Sequence, residues 1–156
     1  MIDTSGSMET LGRMQTAIKA TITVLKTLVV TDFVGVVKFS SSATQLCGSG
    51  IACGSLARAT SANVKALITM VSALTENGST NIEDGMRVGL NLFTANAEMT
   101  SNCRRALLFL TDGIPTVGEQ NAGALVALVK GFNAKPNAVQ KGSLLSIPEV
   151  IPAAHP

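Results

Sequence analysis

Apolar residues recur at helical spacing in several stretches of the chain, with polar positions between them. The first stripe steps by three and four residues and predicts a core-facing helix: Met8, Leu11, Met14, Ile18, Ile22, Leu25 and Val29. Two further helices are predicted by shorter stripes, Val64, Leu67, Ile68, Val71 and Leu74, then Ile82, Met86, Leu90 and Phe93. We expect the second of these three helices to end near Gly78, and a last amphipathic helix over residues 124–132.

Continuous apolar runs predict strands buried on both faces. Residues 33–39 are short, β-branched and almost wholly apolar, and residues 104–111 form the clearest run of this kind. Residues 43–46 suit a brief antiparallel edge strand, and the Gly-rich residues 47–55 suit a loop. Strands that alternate with helices favour a parallel sheet with right-handed crossovers.

Small oxygen-bearing side chains gather where strands are expected to stop. Asp3, Ser5 and Ser7 alternate around Gly6, which permits the tight turn that lets their oxygens converge. Thr80 precedes the third helix, and Asp112 follows the run that ends at residue 111. Hard divalent cations prefer such oxygen ligands and keep a position open for water or a partner. The pattern therefore predicts a metal site at one edge of a sheet.

Each part of this pattern also has a simpler explanation. Asp3, Ser5 or Ser7 suits the N-cap of the first helix, and Thr80 suits the cap of the third. Asp112 followed by Gly113 is typical of a turn. The order and separation of all three parts favour the metal site over these alternatives.

Taken together, these elements resemble the metal-ion-dependent adhesion site of von Willebrand factor type A domains. The resemblance implies a Rossmann-like α/β fold, a doubly wound and mainly parallel sheet flanked by helices. It implies hydroxyl ligands from Ser5, Ser7 and Thr80 and carboxylate ligands from Asp3 and Asp112. The expected ion is Mg²⁺, with Mn²⁺ and Ca²⁺ as alternatives, and the expected partner is a protein that presents a Glu or Asp carboxylate to the ion.

The predicted fold is incomplete at both ends. Such a domain has an apolar central strand before the loop of residues 3–7, which we call the metal loop. Only Met1 and Ile2 precede Asp3 in this chain. Residues 132–156 contain four of the five prolines and no sustained period, so we expect a partial domain over residues 1–131 and an irregular, disordered tail over 132–156. This predicts a fragment of a larger protein, for which an extracellular or membrane-anchored parent is favoured.

Composition narrows the class of protein. The chain of 156 residues carries a net charge of +2 with no clustered basic run, which argues against nucleic-acid binding. No apolar run reaches membrane-spanning length. Three cysteines, Cys47, Cys53 and Cys103, leave at least one thiol unpaired within the chain, and we expect ordinary loop or half-buried cysteines.

Two functional alternatives accompany the binding module. One is the A-domain component of an ATPase or chelatase complex, although the chain has no phosphate-binding Gly-x-x-x-x-Gly-Lys motif of its own. The other is a truncated fragment without function. We expect no enzyme, because Ser5 and Ser7 have no base and the one histidine is His155. Cys47 and Cys103 add a finer similarity to the A domains of calcium-channel alpha-two-delta subunits and their Cache-domain relatives.

Overall fold

The computed structural model describes residues 1–94 and 105–133. Within these ranges four α-helices and five short strands form. The helices are α1 (Arg13–Thr27), α2 (Ser61–Ser72), α3 (Ile82–Thr94) and α4 (Ala122–Asn133). The strands are β1 (Ile2–Asp3), β2 (Phe33–Val34), β3 (Val37–Phe39), β4 (Ala43–Gln45) and β5 (Ala57–Arg58).

A three-stranded sheet in the order β1-β3-β4 carries the metal loop at the end of β1. β1 pairs in parallel with β3, which pairs antiparallel with β4. On its other side β1 forms a parallel bridge between Ile2 and Leu110. Ile2 packs with α1 and α2 side chains, whereas Met1, Val37 and Phe39 pack with α3 side chains. Helices therefore cover both faces of the sheet, as the predicted α/β fold requires.

The strand predicted over residues 33–39 is divided. β2 pairs antiparallel with β5, a strand that the sequence pattern did not predict, while β3 pairs with β1. The division falls at Gly35, where an added Cβ would lie 2.9 Å from a Leu92 methyl carbon and 3.0 Å from a Leu56 methyl carbon. Because β1 starts only at Ile2, it supplies partners to β3 but none to β2.

The prediction of a fully buried strand over residues 104–111 was wrong in extent. Residue 104 lies outside the described ranges, and the side chains of residues 107–110 are only partly buried. Among residues 105–111, regular pairing is confined to the end of the run. There the Asp3 N–H donates to the Leu110 carbonyl at 2.8 Å and the Leu110 N–H donates to the Met1 carbonyl at 3.0 Å. The two residues of β1 offer no further partners.

The first predicted helix begins later than its stripe. Residues Gly6–Gly12 form a 3₁₀ segment interrupted near its end, because Leu11 and Gly12 have positive φ angles of 56° and 67°. Leu11 is 81% exposed rather than core-facing. The stripe holds within α1, where Met14, Ile18 and Leu25 are buried. Val29 lies beyond the helix and is 58% exposed.

The other predicted helices are confirmed with shifted ends. The Thr60 hydroxyl caps α2 by accepting the Asn63 N–H at 3.2 Å. Gly78, which was expected to terminate α2, lies six residues beyond Ser72. Its φ of 84° serves a loop instead, and an added Cβ would lie 2.8 Å from the Ser41 hydroxyl oxygen.

A disulfide closes the Gly-rich loop after β4. Cys47 and Cys53 are bonded to each other. Both lie in the loop, as expected, but their pairing was not predicted from the sequence. The Gln45 side chain holds the same loop, because its Nε2 donates to the Ser55 carbonyl at 2.7 Å and its Oε1 accepts the Gly54 N–H at 2.6 Å. Cys103 lies outside the described residues.

Two further expectations concern the C-terminal tail and membrane-spanning segments. The tail predicted over residues 132–156 lies outside the described residues from residue 134 onwards, so that boundary stays a prediction. Within the described ranges, none of the helices combines the length and apolar character that a membrane crossing needs.

Candidate metal site

Three loops meet at the carboxyl end of β1. The Thr4 N–H donates to the Phe39 carbonyl at 2.7 Å, which ties the metal loop to β3. The Gly6 N–H donates to the Gly78 carbonyl at 2.9 Å, and the Asn77 N–H donates to the Thr4 carbonyl at 2.7 Å. Backbone hydrogen bonds thus bring the loop before α3 against the metal loop.

Asp3 is a fully buried carboxylate held by two donors. Its side chain lies among the residues with no exposed surface. Oδ1 accepts the Ser5 N–H at 2.8 Å, and Oδ2 accepts the Thr111 hydroxyl at 2.5 Å. Burying a carboxylate without hydrogen-bond partners would cost free energy, and these two donors offset that cost. The bond from Thr111 also joins the metal loop to the segment that ends at residue 111.

Ser5, Ser7 and Asp112 form a chain of oxygen contacts. The Ser5 and Ser7 hydroxyls lie 3.1 Å apart and share a hydrogen bond. The Ser7 hydroxyl donates to Asp112 Oδ1 at 2.9 Å. Both distances are typical of hydrogen bonds, so the three side-chain oxygens lie next to one another.

Thr80 is positioned by its backbone rather than by its side chain. Its N–H donates to the Thr116 hydroxyl at 2.9 Å, and its carbonyl accepts the Thr116 N–H at 2.9 Å. A Cβ added to Gly113 would lie 3.8 Å from both the Ser7 and the Thr80 hydroxyl oxygens. The Thr80 and Ser7 hydroxyls therefore both border the space beside Gly113.

The capping alternatives can be compared with this geometry. Gly12 precedes α1 and Ser5 makes no side-chain cap hydrogen bond, so the metal-loop residues do not cap α1. At α3 the Asn81 side chain, rather than that of Thr80, accepts the Asp84 N–H at 3.1 Å. Gly113 does form a local turn, since its N–H donates to the Thr111 hydroxyl at 3.2 Å. That turn leaves both Asp112 oxygens directed to Ser7 and Arg13.

Two residues at the site were missed by the sequence interpretation. Arg13 lies at a polar position within the first predicted helical stripe, yet its Nη1 donates to Asp112 Oδ2 at 2.6 Å. Thr111 was regarded only as the end of a strand. Its position next to Asp112 was the available signal, because the carboxyl end of a strand in this fold points into the site. No local pattern indicated Arg13.

The donor set fits a hard divalent cation. The candidate side chains all offer oxygen atoms as ligands, and Asp3 and Asp112 give the site a formal charge of −2. Among the described residues no cluster of three His, Cys, Asp or Glu side chains occurs. The other oxygens at this site are the hydroxyls of Ser5, Ser7 and Thr80. The site already attracts a cation, since the Arg13 guanidinium contacts Asp112. Metal binding by these five residues stays a prediction.

Comparison with known proteins establishes the class. The family model described as the von Willebrand factor type A domain matches residues 1–114. This chain belongs to that family. A solved structure, "von Willebrand factor type A from Catenulispora acidiphila", superposes with a TM-score of 0.67 at 27% identity, over 85% of this chain and 29% of the other. The predicted family and fold class are confirmed.

Similar curated proteins are inter-alpha-trypsin inhibitor heavy chains. Heavy chain 4 from Mus musculus is 32% identical over 124 residues, and heavy chain H4 from Homo sapiens is 34% identical over 125 residues. Each match covers 78% of this chain but only 12% and 13% of those proteins. Heavy chain H3 from Mesocricetus auratus is 31% identical over 122 residues. These matches do not test the finer similarity to calcium-channel subunits.

Proposed function

We propose that this chain is a non-enzymatic binding module that uses a divalent ion, Mg²⁺ in the first instance, to engage an acidic side chain of a protein partner. The observation that carries the proposal is the convergence of three separate loops on one small volume. Asp3, Ser5 and Ser7 come from the first loop, Thr80 from the second and Asp112 from the third.

The roles of the residues follow from their surroundings. Asp3 and Asp112 supply the negative charge, and burial keeps their carboxylates away from competing water. Ser5, Ser7 and Thr80 supply neutral oxygens, which leave the charge of a divalent ion incompletely balanced. A bound ion with an open coordination position would attract a carboxylate, and this is the chemistry that it supplies. The partner is therefore a protein with an accessible Glu or Asp.

The disulfide bears on the compartment and on the rival function. Cys47 and Cys53 form a disulfide. Disulfides persist in oxidising environments and are rare in the cytosol. This supports an extracellular or membrane-associated parent protein. It weighs against a component of an intracellular ATPase or chelatase complex, for which we find no supporting observation.

Thermal melting with and without Mg²⁺ tests the metal site. A ligand that binds only the folded state at 100 times its dissociation constant adds about 2.7 kcal/mol of stability, which for a domain of this size raises Tm by about 5 to 10 °C. We expect wild-type protein to show such an increase and Asp112→Ala to show none.

Asp32→Ala provides the matched control. Asp32 is a carboxylate whose Oδ2 accepts the Val29 N–H at 2.8 Å, within a turn that contributes no proposed ligand. This variant should lose some stability and keep the full Mg²⁺ increment. If Mg²⁺ leaves the wild-type melting curve unchanged, the metal site is wrong and the truncated, inactive fragment becomes the better interpretation.

A further inference from the structure

Arg13 makes an incomplete ion pair at the proposed metal site. Its Nη1 lies 2.6 Å from Asp112 Oδ2, and the same nitrogen lies 3.5 Å from the Ser7 carbonyl oxygen. The Arg13 side chain is 30% exposed, whereas the Asp112 side chain is 3% exposed. Among the described residues, the Arg13 Nε is a buried side-chain nitrogen without a hydrogen-bond partner.

The Arg13–Asp112 ion pair has a less favourable geometry than an arginine and a carboxylate can form. The strongest pairs are bidentate, with two parallel N–H···O bonds, but here Nη1 is the guanidinium nitrogen that contacts Asp112 and Nε is unsatisfied. A buried donor without a partner opposes the pairing. Asp112 nevertheless requires a cation because its side chain is almost completely buried. The contact supplies that charge without the full strength of a dedicated ion pair.

We propose that Arg13 is a tethered cation that competes with the divalent ion for Asp112 and thereby sets the metal affinity of the site. This inference rests on the proposed function. Without the ion, the Arg13 guanidinium neutralises Asp112. When the ion is bound, Asp112 is neutralised by it, and Arg13 is released towards solvent. Release also removes the cost of the buried Nε, which offsets part of the lost ion pair and limits how far Arg13 lowers the metal affinity.

A purely structural role for Arg13 makes a different prediction. Arg13 begins α1 and Asp112 follows the 105–111 segment, so the pair also connects two parts of the fold. If that connection were its role, removing Arg13 would lower stability equally with and without Mg²⁺. Competition instead predicts a loss of stability that appears in chelator and disappears in saturating Mg²⁺.

The experiment measures Mg²⁺ affinity by isothermal titration calorimetry and Tm in chelator and in Mg²⁺. For Arg13→Gln we expect affinity about three- to tenfold tighter than wild type, the range for a charged hydrogen bond that is partly solvent-exposed. Its Tm should fall below wild type in chelator and match it in saturating Mg²⁺. Arg13→Lys keeps the charge and should stay within about twofold of the wild-type affinity.

Arg87→Gln is the matched control. Arg87 donates to Glu83 at 2.8 Å in an exposed pair on α3. This variant should leave Mg²⁺ affinity unchanged, and any effect on Tm should be the same with and without the ion.

A second measurement follows the Arg13 side chain in wild-type protein and uses Arg13→Lys only to assign a signal. The Nε–H of Arg13 is buried, and its NMR signal, assigned by its loss in Arg13→Lys, should exchange slowly with water in chelator. Saturating Mg²⁺ should accelerate that exchange.

The outcomes separate this inference from the proposed function. Mg²⁺ binding with equal or weaker affinity in Arg13→Gln, or a protected Nε–H at saturation, would overturn the competition and leave the metal site standing. Absence of Mg²⁺ binding in the wild type would overturn both.

Discussion

Leu11 occupies a backbone conformation and an environment that both disfavour leucine. Its φ of 56° and ψ of 21° place it in the left-handed region, where a side chain costs roughly 1 kcal/mol relative to the right-handed region. It is also 81% exposed. Ile114, two residues after Asp112, is 82% exposed. Arg13 and Asp112 join these two segments. We therefore predict that both exposed side chains belong to the surface that meets the proposed partner.

Leu11→Gly should separate stability from partner binding. Glycine adopts this conformation without strain, so we expect stability to be retained or raised by up to about 1 kcal/mol. Capture of acidic peptides from a displayed random library in Mg²⁺ should fall, because the apolar contact is lost. Panning against wild type and variant, with Tm measured in parallel, checks both halves.

Val30→Ser is the control for that comparison, since Val30 is 57% exposed and belongs to the turn after α1. It should not change peptide capture. Equal capture by Leu11→Gly and wild type would remove Leu11 from the partner surface. Enrichment of peptides without Asp or Glu would contradict the proposed carboxylate recognition itself.

The α3 helix contacts the sheet through glycine. A Cβ added to Gly85 would lie 2.9 Å from the Phe39 ring and 3.2 Å from the Phe39 Cβ. Phe39 is fully buried and stacks on Phe109 with ring centroids 5.2 Å apart, so it has little room to move. This close approach keeps the N-terminal end of α3, and with it Thr80, against the sheet.

Gly85→Ala should therefore destabilise the protein although alanine favours helices. Overpacking costs roughly 1 to 3 kcal/mol, and the gain in helix propensity offsets about 1 kcal/mol of it. We expect a net loss of up to about 2 kcal/mol, measured by urea denaturation.

Gly131→Ala tests the opposite sign in α4. An added Cβ there meets nothing within 4 Å, so helix propensity acts alone. We expect a gain of a few tenths of a kcal/mol up to about 1 kcal/mol. If the two substitutions changed stability alike, the close approach of α3 to Phe39 would not be real.

At the scale of the whole molecule, the amino group of Met1 is buried next to the start of β1. It donates to the Leu108 carbonyl at 2.6 Å, and burial lowers its pKa from 8.0 to about 5. The same region borders a cavity of about 380 Å³ lined largely by apolar side chains. Removal from water, which disfavours the charged form, is the cause of the shift.

A chain that begins at Met1 with a free amino group should therefore lose stability as pH falls from 8 to 5. Over this range the unfolded state takes up a proton and the folded state does not. The loss has an upper bound of about 4 kcal/mol and levels off below pH 5. Urea denaturation across this range measures it.

N-terminal acetylation removes the titrating group and should abolish this pH dependence. The lowered pKa of Glu83, caused first by its hydrogen bond from Arg87, affects stability only at more acidic pH. It therefore does not confuse the comparison. An acetylated protein with the same slope between pH 5 and 8 would show that another group is responsible.

Local sequence pattern determined much of this protein. The four helices and the edge strand β4 were predictable because their apolar spacing and polar boundaries act over a few residues. The candidate ligands Asp3, Ser5, Ser7, Thr80 and Asp112 were predictable because residue type and order identify an oxygen-rich site. The family was predictable from the same order, and the comparisons confirm it.

Tertiary structure decided what depends on contacts between distant residues. The run of residues 33–39 was divided because its two halves have different pairing partners. Residues 105–111 pair with β1 only at their end, because β1 is two residues long. The pairing of Cys47 with Cys53 required their Cα atoms to lie 5.2 Å apart, which spacing alone does not establish. Arg13 and Asp112 are 99 residues apart in the sequence. An ion pair between such distant positions produces no periodic pattern in either segment.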